Sequence, residues 1–314
     1  AGTRRGFDMT AILESNLSTD LRLAQMIEAE IRMILADMAS IRNLPGAITY
    51  LGDVAGSGSD TMQVRLAGLA GTDEMASTAE NADASTTALT DASVTVAAAR
   101  YALRRDISDL AVLSGLGNDI DPFKLAESMV ASFDAAFMAS VATAVASFSS
   151  SVGTSGVDMS VDDFMDAIAT LEIASVPGPY FGILHPRQLA DLQESLRSES
   201  GALSFSPATV EMLNVAGPGL AGEFLGVQLF QSSKITSSGG NRKGCIYGQN
   251  ALGYVVGTPQ PLVGAGGEVR PAGSPVVVEF QRDASAALTE VVGHGYFGCA
   301  IIEDARGVLI STDA

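Results

Sequence analysis

Apolar residues fall along residues 121–148 at three- and four-residue steps: Val130, Phe133, Phe137, Val141, Val145 and Phe148. That spacing places them on one stripe of a helix. Asp121 is a suitable N-cap. Pro122 sits at the first helical position, where its missing N–H costs nothing. No glycine or further proline follows until Gly153, so the pattern predicts one helix about 40 Å long. A second helical pattern covers residues 19–41, with Leu23, Ile27, Ile31, Ile34, Met38 and Ile41 on one face. Residues 1–18 read as a loose arm. Between the two helices the pattern changes. Residues 61–67 alternate as TMQVRLA and residues 86–98 read as a second strand, joined by a long polar tip. Such a hairpin has too little apolar surface to be stable alone.

Beyond the long helix, residues 147–156 form a Ser/Gly linker. Ser160 and Asp163 make a capping box for a helix over 161–173. A strand at 180–184, a helix from Pro186 to Leu196 and a short helix at 210–213 follow. Further strands are expected at 224–231, 245–248 and 251–256. Glycine and proline dominate 257–275. The remaining strands are 276–281, 288–292 with 296–302, and 307–310. A short helix is also expected after 106–109, ending near Ser114–Gly115. The fold class is α+β.

Charge narrows the function. The net charge is −18 and there are three lysines, Lys124, Lys234 and Lys243. Such a surface repels nucleic acid, so direct sequence-specific DNA binding is not expected. Lys124, Glu127 and Asp134 interrupt the long helix, and the N-terminus has no hydrophobic signal core. No membrane span is expected, and the chain is read as cytosolic in origin. Cys245 and Cys299 read as small buried hydrophobes, not as a framework.

Candidate chemistry is sparse. Gly217–Pro218–Gly219–Leu220–Ala221–Gly222 matches GxGxxG, but it precedes a strand where a dinucleotide fingerprint opens a helix, so it reads as a turn. His185 and His294 are the two histidines, and neither has a zinc-ligand spacing. Asp158, Asp162, Asp163 and Asp166 read as carboxylates at the positive end of a helix. No GxSxG elbow occurs. No catalytic, cofactor-binding or metal-binding residue is expected, and the chain is read as a non-enzyme. Arg100, Arg104 and Arg105 concentrate positive charge in an acidic chain. They are candidates for pairing within the subunit or between subunits. Ile27, Ile31 and Ile34 on the first helix, with Met62, Val64 and Leu66 on the hairpin, are the apolar contact candidates.

Four stretches carry a resemblance: VTVAAARYALRRDISDLAVLSG (94–115), the helix 121–148, FGILHPRQLADLQ (181–193) with GEFLGVQLFQSSKI (222–235), and EFQRDASAALTEVVGHGYFGCAIIEDARGVLIST (279–312). Their order resembles major capsid proteins of tailed phages with the Hong Kong 97-type fold. The resemblance implies an N-terminal arm (1–45) and an extended loop (46–98). It implies a peripheral domain (99–156 and 275–314) holding the spine helix, and an axial domain (157–274). It implies hexamers and pentamers of the chain closing into an icosahedral shell around a double-stranded DNA genome. Scaffolding protein, a portal and, in some members, a decoration protein would be partners. The shell would assemble in the host cytoplasm and remain as the virion capsid. Some members cross-link through a loop lysine. Residues 52–91 contain none, so covalent cross-linking is not expected here. The alternatives are the shell subunit of an encapsulin-like nanocompartment and, from another class, a small-molecule or dinucleotide-binding enzyme using 217–222.

Overall fold

The computed structural model describes residues 41, 46–55, 57–67, 77–78, 80–81, 83, 91–110, 122–198, 206–207, 220–235, 237–257 and 276–313. The expected helices at 19–41 and 210–213, the hairpin tip, most of the helix expected near 106–115 and the 258–275 stretch lie outside the described residues.

The chain divides into two compact units. One holds residues 1–38, 100–134 and 258–296, the other residues 39–99, 135–257 and 297–314. Helix α1 (Pro122–Val145) and strand β14 (Leu288–Ile301) each contribute to both.

In the first unit, β13 (Val276–Asp283) pairs antiparallel with β14, from Val276↔Gly295 to Asp283↔Leu288. Strand β4 (Ala99–Ser108) also pairs with β14. The sequence pattern ends a strand at Ala98 and assigns nothing to 99–105 before the short helix expected after 106–109. Instead β4 is a ten-residue strand, with Tyr101, Leu103 and Ile107 on its half-buried side. Two strands had been read in 288–302; they are one, running through Gly293–His294–Gly295. Glycine is tolerated there because Met129 of α1 lies over Gly293, 3.3 Å from where a Cβ would stand.

The second unit is built on an eight-stranded sheet. Its strands are β5 (Ser150–Val152), β15 (Gly307–Asp313), β11 (Asn241–Tyr247), β6 (Tyr180–Leu184), β9 (Val227–Gln231), β8 (Leu220–Phe224) and β7 (Ser206–Pro207), in that order. Strand β10 (Ser237–Ser238) pairs beside β11. The single strand expected over 224–231 is a hairpin of β8 and β9. Leu225 (φ 50°) and Gly226 (φ 77°) make a two-residue turn with both residues left-handed. The expected linker at 147–156 contributes β5, parallel to β15.

Helix α2 (Val161–Ile173) carries the predicted capping box. The Asp163 amide donates to Ser160 Oγ at 3.2 Å, and the Ser160 amide donates to Asp163 Oδ2 at 3.0 Å. Its buried side, Phe164, Ala167 and Leu171, packs with Leu189 and Leu192 of α3 (Pro186–Ser198) over Leu184, Leu229, Ile246 and Ile310 of the sheet. Phe164 and Phe224 lie with ring centroids 5.1 Å apart. Elsewhere in this unit, Phe137 of α1 sets its ring edge-on to Tyr254 at 5.5 Å and tilted to Phe297 at 5.6 Å. By length and composition residues Glu127–Val145 would suffice to span a membrane. Here Met129, Val130, Phe133, Phe137, Val141 and Val145 are buried against protein.

Also in this unit, β1 (Thr49–Asp53), unassigned from the sequence, pairs parallel with β12 (Leu252–Val256). β12 pairs on its other side with residues 297–301 of β14.

Candidate inter-subunit surface

The hairpin is formed by β2 (Thr61–Ala67) and β3 (Asp91–Ala97), paired from Thr61↔Ala97 to Ala67↔Asp91. Strict alternation sorts its faces. Met62, Val64, Val94 and Val96 share one; Gln63, Arg65, Ser93 and Thr95 share the other and are exposed. Val96 is buried, while Met62, Val64 and Val94 are half-buried. Leu66 stands opposite Ala92 in the register. Among the described residues no third strand joins this pair. Its base is held firmly. The Ala98 amide donates to the Asp60 carbonyl at 2.9 Å, the Val54 amide to Val256 at 3.0 Å, and the Met62 side chain lies over Gly52. The turn between β1 and β2 is stitched by Asp53 and Ser57. Asp53 Oδ1 accepts from the Ala55 amide at 2.8 Å, and Ser57 Oγ donates to the Val54 carbonyl at 2.7 Å.

The three arginines stand on β4. Arg100 donates to His294 Nδ1 at 3.2 Å. A guanidinium only donates, so Nδ1 keeps its lone pair and the ring proton sits on Nε2, which is 3.6 Å from Glu279 Oε2. Arg104 reaches Asp106 at 2.6 and 3.0 Å and Glu290 at 2.7 Å. The hydrogen bond to Asp106 raises the Arg104 pKa and lowers that of Asp106. Arg105 reaches Ser128 Oγ at 3.4 Å. All three therefore have partners within their own unit. One further pair was not anticipated: Arg282 grips Asp109 at 2.5 Å through both oxygens, and this hydrogen bond lowers the Asp109 pKa. Ile27, Ile31 and Ile34 lie outside the described residues.

A second polar cluster gathers where β6 ends and α3 begins. Gln188 is fully buried. Its Nε2 donates to Thr312 Oγ1 at 2.8 Å and to the Arg242 and Ile310 carbonyls, and its Oε1 accepts from the His185 amide at 3.1 Å. This satisfies a buried amide without water. His185 Nδ1 accepts from the Arg187 amide at 3.2 Å. Burial, then the nearby Arg242 charge, lowers the His185 pKa, so the ring stays neutral at pH 7. Arg187 pairs with the buried Asp191 at 3.2 Å, and burial raises the Asp191 pKa. Asp191 Oδ2 and Arg242 Nε, both shielded from solvent, have no hydrogen-bond partner among the described residues.

Among the described residues no three His, Cys, Asp or Glu side chains converge as metal ligands. Cys245 and Cys299 are free, and burial pushes both thiols up to about 12, where they are not nucleophiles at neutral pH. Of the GxGxxG stretch, Leu220–Gly222 belongs to β8, which turns directly into β9 and opens no helix.

The sequence matches no protein-family model and no curated protein. Solved structures do match. The capsid of the native GTA particle superposes with a TM-score of 0.58 at 12% identity, over 88% of this chain and 90% of that one. The holo-SrpI encapsulin complex from Synechococcus elongatus PCC 7942 gives 0.55 at 13%, over 85% of each chain. Mycobacterium phage Che8 gives 0.54 at 13%, over 81% of this chain and 85% of that one. Identities this low speak for architecture, and the architecture agrees across nearly whole chains: this protein has the α+β fold of Hong Kong 97-like capsid proteins.

Proposed function

We propose that this chain is a non-enzymatic shell subunit, the major capsid protein of a tailed phage, whose copies form hexamers and pentamers around double-stranded DNA. The observation that carries this reading is the hairpin β2–β3 in a capsid fold: a two-stranded, one-face-apolar element with no third strand among the described residues. Two strands alone are marginal in water, so a neighbouring copy is the natural cover. In this reading Met62, Val64 and Leu66 face that neighbour, and Ile27, Ile31 and Ile34 of the arm do the same. Arg105, with its long 3.4 Å contact, is the arginine best placed to reach across. Residues 46–98 serve as the extended loop. Residues 99–156 and 275–314 serve as the peripheral domain, and residues 157–274 as the axial domain. Scaffolding protein and a portal act during assembly in the host cytoplasm, and the acidic chain touches DNA only non-specifically.

An encapsulin-like compartment is the second reading, favoured by the likeness to the SrpI encapsulin. Electron microscopy with light scattering on the purified protein tests the shared part. Uniform closed shells are expected, with scaffold supplied if required. A chain that stays monomeric at high concentration with scaffold present overturns it. Shells recovered from the native host with nuclease-protected DNA support the capsid; shells holding an enzyme support the compartment.

A further inference from the structure

His294 stands on the middle strand of three in the first unit, since β14 pairs with β4 and with β13. Alternation puts Glu290, Val292, His294 and Tyr296 on one face of β14. Gly293 is on the other face, under Met129 of α1. The imidazole is 7% exposed. Its two nitrogens meet groups of opposite charge on the two flanking strands. Arg100 of β4 donates to Nδ1 at 3.2 Å, and Glu279 Oε2 of β13 stands 3.6 Å from Nε2. Among the described residues, the other charged groups on this face are turned elsewhere. Arg104 of β4 is held by Asp106 and Glu290, and Asp283 of β13 accepts from Ser285 Oγ at 2.7 Å. Tyr296 is the remaining titratable side chain on this face of β14, and α1 packs on the opposite face.

A second proton on the ring is incompatible with this arrangement. A neutral imidazole has one lone pair to offer, and Arg100 takes it. The added proton goes to Nδ1, which sets two N–H donors and two positive charges against each other at 3.2 Å. Arg100 is exposed and can turn to water, whereas the buried ring stays in its strand. The same proton gives Glu279 a full cation to pair with. Acid therefore moves one cross-strand bond from the β4 side of β14 to its β13 side.

We propose that His294 is a proton-operated latch on the start of β4. Neutral, it holds Arg100, the second residue of that strand; protonated, it releases Arg100 and grips Glu279. The latch is closed above the ring's titration midpoint and open below it, in the pH range where histidines change charge. Only Ala98 separates β4 from the end of the hairpin strand β3, so the release loosens the chain where the hairpin joins its root. The latch belongs to the single chain and does not depend on the shell reading.

Amide hydrogen exchange of the full chain, read by mass spectrometry, tests this on free subunits and particles alike. After correction for intrinsic rates, amides of residues 99–103 are expected to exchange at least about three-fold faster at about pH 5 than at about pH 8, since one charged hydrogen bond is lost. His294→Asn keeps an acceptor for Arg100 and does not titrate, so the pH dependence is expected to vanish. Arg100→Ala, on an exposed side chain, is expected to be fast at both pH values. Exchange of the imidazole C2 hydrogen in the same samples follows protonation of the ring. Arg100→Ala is expected to raise its midpoint and Glu279→Gln to lower it. A parent whose 99–103 amides ignore pH overturns the proposal, as does either His294→Asn or Arg100→Ala responding like the parent. A C2 midpoint that neither substitution moves also overturns it. Chains that never close into shells would sink the shell reading and leave these readouts intact.

Discussion

Arg282 and Asp109 illustrate how a surface pair is read at the scale of single residues. Two parallel N–H···O contacts fix the carboxylate, and the Arg282 hydrogen bond lowers the Asp109 pKa, with burial opposing it. The sign follows from linkage. A carboxyl depressed in the folded state contributes stability above the ordinary carboxyl range and loses it as pH falls through the folded value. Both side chains are about half exposed, so the pair is a local clamp on the end of β4 and carries little global stability. Arg282→Ala should therefore raise the Asp109 titration midpoint toward the ordinary carboxyl value, measured by NMR of the carboxyl carbon. An unmoved midpoint would show that Arg282 is not the cause. The sequence put Arg100, Arg104 and Arg105 in one group by position. What it could not give is that Arg104 turns to Glu290 and Arg100 to His294, because those two partners come from another strand, β14. Arg282, with no arginine neighbour, had no signal at all.

At the scale of elements, periodicity worked where one face is buried. Helix α2 and strand β6 were legible to the residue, because a capping box and a proline mark their limits. Helix α1 was legible as a stripe, although its last turn stops at Val145 and Phe148 is buried instead by lying over Gly307. The hairpin of β8 and β9 was not legible, since its turn needs Leu225 in the left-handed region, a conformation that a leucine does not announce. Nor was the continuity of β14, where Gly–His–Gly imitates a break. The α1 stripe yields a test: Phe137→Ala should destabilise the fold by about 3–5 kcal/mol, because the ring is 1% exposed and packs on Tyr254 and Phe297. Urea unfolding of unassembled protein measures it. A loss well under about 1 kcal/mol would mean the site collapses around the gap.

For the whole molecule, local pattern gives no register between distant strands. β1 pairs with β12 across some two hundred residues, and β5 with β15 across more than one hundred and fifty. Among the described residues the hairpin β2–β3 is tied to this framework at its base. Deleting residues 61–85 should leave the second unit's sheet folded, seen as an unchanged cooperative melt, while abolishing closed particles by electron microscopy. Normal particles from the deletion would remove the hairpin from the assembly contacts. The sheet of the second unit also has a consequence for synthesis. Among the described residues its last strand in sequence, β15, is an interior strand, flanked by β5 and β11. The ribosome must deliver every other strand before this slot is filled, and until then two open edges face each other across a gap. A chain cut short before Gly307 cannot close the sheet, and so presents edges for degradation in place of a finished fold. Translation to the end of β15 thereby acts as an inspection step, sparing only chains long enough to complete the sheet.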